Sequence, residues 1–133
     1  MSNVSAMIDS HPQGGSVDKQ LLAECIEACF SCAQTYTACA DACLSEDSVA
    51  DLRDCIRTDL DCADICAATG TVLTRLTGSN TATVRALLEA CRTACAECAA
   101  DCEEHADHHE HCRICAEACR RCEKACAALL ESL

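Results

Sequence analysis

Cysteines recur at helical spacing along almost the whole chain. The first group lies at positions 25, 29, 32, 39 and 43, with steps of four, three, seven and four residues. Because side chains three or four residues apart share one face of an α-helix, these thiols form a single stripe. Tyr36 occupies the one gap in that rhythm. Aliphatic side chains usually fill such a stripe, so the sequence predicts a helix whose core-facing side is made of thiols.

The same pattern occurs four times and predicts four long helices joined by short turns. We expect them over about residues 17–44, 49–77, 82–104 and 107–133, with Ser16 as the first N-cap and Gly78 after the second helix. Asp107 can open the fourth. The predicted fold is therefore all-α: an antiparallel up-down four-helix bundle with a cysteine-lined core over residues 16–133.

Residues 1–15 are expected to form a separate N-terminal arm. Val4, Met7 and Ile8 share one helical face and predict a brief amphipathic helix. Pro12 and the glycines that follow it then end this helix.

An antiparallel bundle of these helices has two different ends. One end is aliphatic and is expected to be closed; it collects Leu21, Leu22, Leu73, Leu76, Val84, Leu87, Leu88, Leu129, Leu130 and Leu133. The opposite end is polar and is expected to be accessible to metal; it collects Cys43, Cys55, Cys102, His105, His108, His109, His111 and Cys112.

Charge and hydropathy exclude several classes of partner. The net charge of −12 at pH 7 disfavours nucleic acid and anionic membranes. A run of about 18 apolar residues, as a membrane span needs, is lacking, and the first residues have neither the basic start nor the apolar stretch of a secretory signal. We therefore expect a cytoplasmic protein that attracts cations.

A disulfide scaffold is the first alternative for a short chain with 17 cysteines. The count is odd, and neighbouring cysteines on one helix have Cβ atoms roughly 5–6 Å apart, whereas a disulfide needs about 3.5–4.5 Å. Disulfides between helices remain open to the chain, but a reducing cytosol disfavours them. We expect free thiols.

Overlapping cysteine pairs favour a polythiolate metal site. The chain has CxxC four times and CxxxC seven times, the former at Cys29–Cys32, Cys95–Cys98, Cys112–Cys115 and Cys119–Cys122. Thiolates select Cu(I), Zn(II) or iron–sulfur clusters. A Cu(I) ion that replaces one thiol proton leaves the core neutral, whereas stacked Zn(II) tetrathiolates would accumulate buried negative charge. The cysteine run of bacterial ferredoxins is missing. The pattern favours several Cu(I) ions in a row.

The candidate metal ligands are all the cysteines and four further residues. They are Cys25, Cys29, Cys32, Cys39, Cys43, Cys55, Cys62, Cys66, Cys91, Cys95, Cys98, Cys102, Cys112, Cys115, Cys119, Cys122 and Cys126, with Asp59, His105, His108 and His111. Asp59 is a ligand, a polar partner in the open part of the tube, or a residue assigned to the wrong face. The histidines have a second interpretation as a solvated helix start.

The favoured function is non-enzymatic Cu(I) storage, with no catalytic residue and no organic cofactor. Three alternatives stay open: a small metallochaperone that carries about one ion, a Zn/Cd thiolate buffer, and a thiol redox protein. A redox protein needs one exposed cysteine pair of low pKa at a helix N-terminus. Cys112–Cys115 comes nearest to that requirement, but it would leave the other cysteines unexplained.

Over about residues 17–133 the chain resembles the bacterial copper storage proteins, in particular their cytosolic branch without an export signal. The resemblance is carried by the four cysteine stripes, by CxxxC repeats such as Cys25–Cys29, and by the stretch HEHCRICAEACRRCEKAC from His109 to Cys126. It implies a four-helix bundle that binds many Cu(I) ions, assembles into a homotetramer and serves cytosolic copper storage or detoxification, with copper-donor or acceptor proteins as further partners. It also implies that His105, His108 and His111 mark the end where ions enter. Tyr36 stands where the stripe calls for another cysteine.

Overall fold

The computed structural model describes residues 2–15, 17–78 and 80–133, and these contain helices and turns but no strand. The elements in chain order are α1 (Val4–Ser10), α2 (Lys19–Leu44), a 3₁₀ turn (Val49–Leu52), α3 (Arg53–Leu73), α4 (Thr81–His105) and α5 (Glu110–Ser132). Helix α2 packs against α3 and α5, and α4 packs against the same two helices. The four long helices therefore enclose one core, which confirms the predicted four-helix bundle.

The helix boundaries differ from the prediction at four places, one of which is the start of α3 at Arg53, after the 3₁₀ turn Val49–Leu52, rather than at residue 49. Ser16 lies outside the described residues, and the N-cap of α2 is Asp18, whose carboxylate accepts a hydrogen bond from the Leu21 N–H at 3.0 Å. Helix α3 ends at Leu73 rather than near residue 77. The Thr74 hydroxyl donates to the Gly70 carbonyl at 2.8 Å, and threonine-rich sequence has a low helix propensity because its hydroxyls compete for the backbone.

Helix α5 begins at Glu110 rather than at Asp107. The preceding residues form a turn in which the N–H groups of His108 and His109 both donate to the His105 carbonyl. That turn moves the helix start towards the C-terminus and makes His109 the N-cap. The sequence favoured Asp107 because aspartate is a preferred N-cap residue, whereas histidine is not.

The arm contains the predicted short helix, but one of its three apolar residues points outward. Ile8 is buried, and Val4 is partly buried against the core cluster, whereas Met7 is 63% exposed. Positions four apart on a helix differ by about 40° in direction, while Met7 is displaced by about 60° from Val4 and 100° from Ile8. This helix of seven residues therefore packs against the bundle only with the narrow face that contains Val4 and Ile8.

Aliphatic residues gather at the end of the bundle where α2 and α4 begin. Leu22, Leu73, Leu88 and Leu129 are buried there. They do not fill the end completely: a cleft of about 360 Å³ is lined by residues 13–15 of the arm, the start of α2, the end of α3 with residues 75–78, the start of α4 and the end of α5. No helix in the described part of the chain is long and apolar enough to cross a membrane.

Replacement of Leu88 by alanine should weaken the fold without touching a thiol. Leu88 is fully buried, and removal of a buried leucine lowers the free energy of unfolding by about 3 kcal/mol. Urea unfolding of the reduced, metal-free variant measures the loss. Leu44→Ala, at a position that is 59% exposed, is the matched control and should change the free energy by about 0.5 kcal/mol or less. Equal losses in the two variants would contradict a packed aliphatic end.

Candidate metal centre

The core is a column of thiols that runs along the bundle. Every cysteine is a free thiol, and none is more than 2% exposed. The four helices present their sulfurs to one another at contact distance, well above the roughly 2.0 Å of a disulfide. Sγ···Sγ contacts between helices are Cys25–Cys126 at 3.8 Å, Cys29–Cys122 at 3.9 Å, Cys66–Cys91 at 3.7 Å, Cys62–Cys95 at 3.6 Å and Cys55–Cys102 at 3.5 Å. The prediction that the stripes face each other is confirmed.

Two overlapping tetrads occupy the half of the column nearer the aliphatic end. Within each tetrad all four Sγ atoms lie within 4.8 Å of one another. One tetrad is Cys29, Cys91, Cys122 and Cys126, and the other is Cys66, Cys91, Cys95 and Cys122. Because the tetrads share two sulfurs, they form one continuous donor set rather than separate tetrahedral sites. Such a set can offer two or three sulfurs to each of several adjacent ions.

Asp59 is fully buried in the other half of the column. Its Oδ1 accepts hydrogen bonds from the thiols of Cys98 at 2.9 Å and Cys115 at 3.2 Å. Burial, and after it the charge and hydrogen bond of Cys98, raise the pKa of Asp59 to about 9. The interpretation that Asp59 had been assigned to the wrong face of its helix is therefore incorrect. Its carboxyl group points into the thiol column, where it can coordinate a metal through an oxygen atom or hold a proton.

Tyr36 fills the place of a thiol at mid-height of the column. Its side chain is fully buried, and its hydroxyl donates to the Cys95 Sγ at 3.5 Å. Burial raises the pKa of Tyr36, and the charges of surrounding cysteines act in the same direction. The neutral phenol thus stands between the tetrads and the thiols around Asp59.

At the polar end of the bundle, which we call the open end, the ring of His111 lies over the column and contacts its thiols. Cys39, Cys43, His111 and Cys112 form a group whose donor atoms lie within 4.8 Å of one another. The His111 Nδ1 lies 3.4 Å from the Cys39 Sγ and 3.6 Å from the Cys112 Sγ. This group joins the surface to the column, because Cys39 also belongs to the group around Asp59.

Glu46 and His109 complete this end, and neither was among the candidate ligands. The Glu46 Oε2 lies 2.8 Å from the His111 Nε2 and 2.7 Å from the His109 Nδ1. Glu46 belongs to the turn after α2, and His109 to the turn before α5. The one signal for this contact in the sequence is that both turns fall at the same end of an antiparallel bundle.

The other two predicted histidines lie at the same end but outside this contact. His105 is half-buried at the end of α4, and His108 is exposed. Within the part of the chain that the structure describes, their rings make no hydrogen bond. The structure thus brings His111 to the thiols and leaves His105 and His108 at the rim.

Burial keeps two of the thiols at the open end, those of Cys43 and Cys112, protonated. Burial, and after it the charge of Cys39, raise the pKa of the Cys112 thiol to about 12 and also raise the pKa of Cys43. For His111, burial acts to lower the pKa, but hydrogen bonds to Cys39 and Glu46 outweigh it and raise the pKa. The hydrogen bond from His111 lowers the pKa of Glu46. Glu46 therefore places a negative charge at this end, outside the protonated thiols of Cys43 and Cys112.

Known proteins share both the sequence pattern and the fold. The sequence profile of the family described as "Csp: Copper storage protein" matches residues 18–131. The copper storage protein Ccsp of Streptomyces lividans, solved with 10 copper equivalents, is 56% identical and has a TM-score of 0.96, with 98% of this chain and 99% of that chain covered.

Two further solved structures agree. A cytosolic copper storage protein of Streptomyces lividans with five coppers is 60% identical over 86% of this chain and 95% of that chain, with a TM-score of 0.85. The Cu(I)-bound copper storage protein BsCsp3 is 35% identical over 80% of this chain and 94% of that chain, with a TM-score of 0.71. Together with the thiol column, these matches establish that the chain belongs to the copper storage protein family.

Proposed function

We propose that the protein stores Cu(I) as cargo in the cytosol and thereby also protects the cell from the free ion. The observation that carries the proposal is the column of 17 buried free thiols. Packing alone does not need sulfur, since alanine, valine or leucine would fill the same volume. Soft thiolates prefer Cu(I), and a monovalent ion that replaces a thiol proton adds no charge to the core.

The cysteines are the proposed ligands, and Asp59 and His111 are the proposed ligands of other types. Asp59 Oδ1 already accepts hydrogen bonds from two core thiols, and His111 Nδ1 lies within 3.6 Å of two thiols at the open end. We assign His105 and His108 to the rim, where they would meet incoming ions. Residues 16–133 are the proposed Cu(I)-binding domain, and residues 1–15 are an arm attached to its outside.

Cytosolic location and tetrameric assembly are parts of the same proposal. One relative is described as cytosolic. Several large apolar side chains are exposed on the outside of the bundle, among them Phe30 at 41%, Leu60 at 44% and Ile114 at 48%. Burial of these between copies would support a homotetramer. Light scattering that gave the mass of a single chain, with and without copper, would contradict it.

Anaerobic titration of the fully reduced protein with Cu(I), against a competing chelator, tests the function. We expect tight uptake of something near one ion per cysteine, because every thiol is part of the column. A variant with Cys66, Cys91, Cys95 and Cys122 replaced by alanine removes one tetrad and two of the four sulfurs of the other, and should bind correspondingly fewer ions while retaining its helical circular dichroism.

Three results would speak against storage. Saturation of the parent protein at one or two ions would indicate a metallochaperone. Retention of Zn(II) in the presence of equimolar Cu(I) would indicate a zinc buffer. Catalytic turnover in a thiol-exchange assay would indicate a redox protein.

A further inference from the structure

The acidic turn after α2 holds a carboxylate that touches two histidines at once. The Glu46 Oε2 is within hydrogen-bond distance of a different nitrogen on each ring: Nδ1 of His109 at 2.7 Å and Nε2 of His111 at 2.8 Å. The rings are stacked, with centroids 5.4 Å apart and planes inclined by 20°. All three side chains are partly shielded, with 17% of His109, 26% of His111 and 31% of Glu46 exposed.

A carboxylate can only accept hydrogen bonds, so the ring nitrogen that contacts it must carry a proton. In neutral His111 that nitrogen is Nε2, which leaves the Nδ1 lone pair directed at the thiols of Cys39 and Cys112. In neutral His109 it is Nδ1, which leaves Nε2 as the nitrogen that can bind a metal. One carboxylate therefore holds neighbouring imidazoles in opposite tautomers.

We propose that Glu46 is a positioning residue for Cu(I) uptake: it fixes complementary tautomers of His109 and His111, so that an ion bound by the outer ring is handed to the inner ring and then to the thiols. Outer carboxylates that accept the second N–H of a metal-binding histidine set both its tautomer and its orientation in other metal sites. The inference rests on the proposed function. Glu46 would also neutralise part of the charge of an incoming cation without binding it.

The first test is made on metal-free protein and does not depend on copper storage. Long-range ¹H–¹⁵N spectra of the full chain, labelled in histidine, report which ring nitrogen is protonated. We expect the Nδ1–H tautomer for His109 and the Nε2–H tautomer for His111. In E46A, His109 should change to the Nε2–H tautomer that free imidazole side chains prefer. The opposite assignment in the parent protein, or an unchanged His109 in E46A, would overturn the proposal.

The second test measures Cu(I) transfer from a chelating donor by stopped flow. E46A, the variant that removes the acceptor, should load about tenfold more slowly, the lower end of what loss of such an outer partner does at metal sites, and should reach the same final copper content. Asp47→Ala is the matched control: it removes a carboxylate from the same turn at an exposed position, and should load at the parental rate.

Two loading results would overturn the proposal. Equal slowing in E46A and Asp47→Ala would assign the effect to overall charge, and parental rates in E46A despite altered tautomers would remove Glu46 from the uptake route. If the parent protein bound only one or two ions, storage would fail while the tautomer assignment would still be decided.

Discussion

Alkylation of Cys29 and Cys91 in the folded, metal-free protein should be at least about a thousandfold slower than in the urea-unfolded chain. Both thiols are fully buried in the half of the column nearer the aliphatic end. A reagent can reach them only when the bundle opens, and an opening free energy of about 4 kcal/mol reduces the reactive population a thousandfold. Cys43 and Cys112 should react first, because they lie beside the partly exposed His111.

Pulsed labelling with N-ethylmaleimide under anaerobic conditions, followed by peptide mass spectrometry, measures these rates for each cysteine. Ala68 lies exposed on α3, so an Ala68→Cys variant supplies an internal reference that should react at the rate of the unfolded chain. Cys29 labelled as fast as the cysteine introduced at position 68 would contradict a sealed column. Equal rates for Cys43 and Cys29 would contradict a single open end.

The unfolding free energy of the metal-free protein should fall by about 2–4 kcal/mol between pH 5 and pH 8 because of Asp59. Burial raises the folded-state pKa of this carboxyl to about 9, from an ordinary value of 3.8. Between those two values the folded state binds a proton that the unfolded state has lost. Stability is therefore highest near and below the unfolded-state pKa, and is lost as the pH rises towards the folded-state value.

Replacement of Asp59 by asparagine isolates this contribution. Asparagine has nearly the same shape and does not titrate, so Asp59→Asn should flatten the pH dependence and be the more stable of the two proteins at pH 8. Asp64→Asn, at an exposed position of the same helix, should keep the parental slope. The raised pKa of His111 acts in the same direction, but it is common to all three proteins and cancels in their comparison. An unchanged slope in Asp59→Asn would show that the buried carboxyl is ionised, contrary to its surroundings.

The stripes were predictable from the sequence because helical geometry fixes them. Once Cys25, Cys29 and Cys32 are placed on one helix, their common direction follows from the rotation per residue. The burial of Tyr36 and Asp59 follows from the same periodicity, since both stand at stripe positions. The aliphatic end was predictable for a related reason, because short turns force neighbouring helices to be antiparallel.

The contacts of the open end were not predictable, because they depend on how two turns meet. The turn that holds Glu46 and the turn that holds His109 are far apart in sequence, and no spacing rule relates them. The end of α3 at Leu73 was missed because the leucine spacing suggested a longer helix, whereas Thr74 and Thr77 have a low helix propensity.

The protonated thiols at the histidine-covered end have a consequence for the movement of ions into and out of the protein. Each Cu(I) ion that binds a neutral thiol releases one proton. That proton leaves through the same end by which Cu(I) ions arrive. The bundle is thus an ion exchanger: its buried sulfurs carry protons in the metal-free protein and Cu(I) ions in the loaded protein. Because both ions carry a single charge, the last ion meets the same overall charge as the first. The number of ions that the bundle can hold is then limited by the space between its sulfurs and not by accumulated electrostatic repulsion. Acidification shifts the exchange towards release of Cu(I).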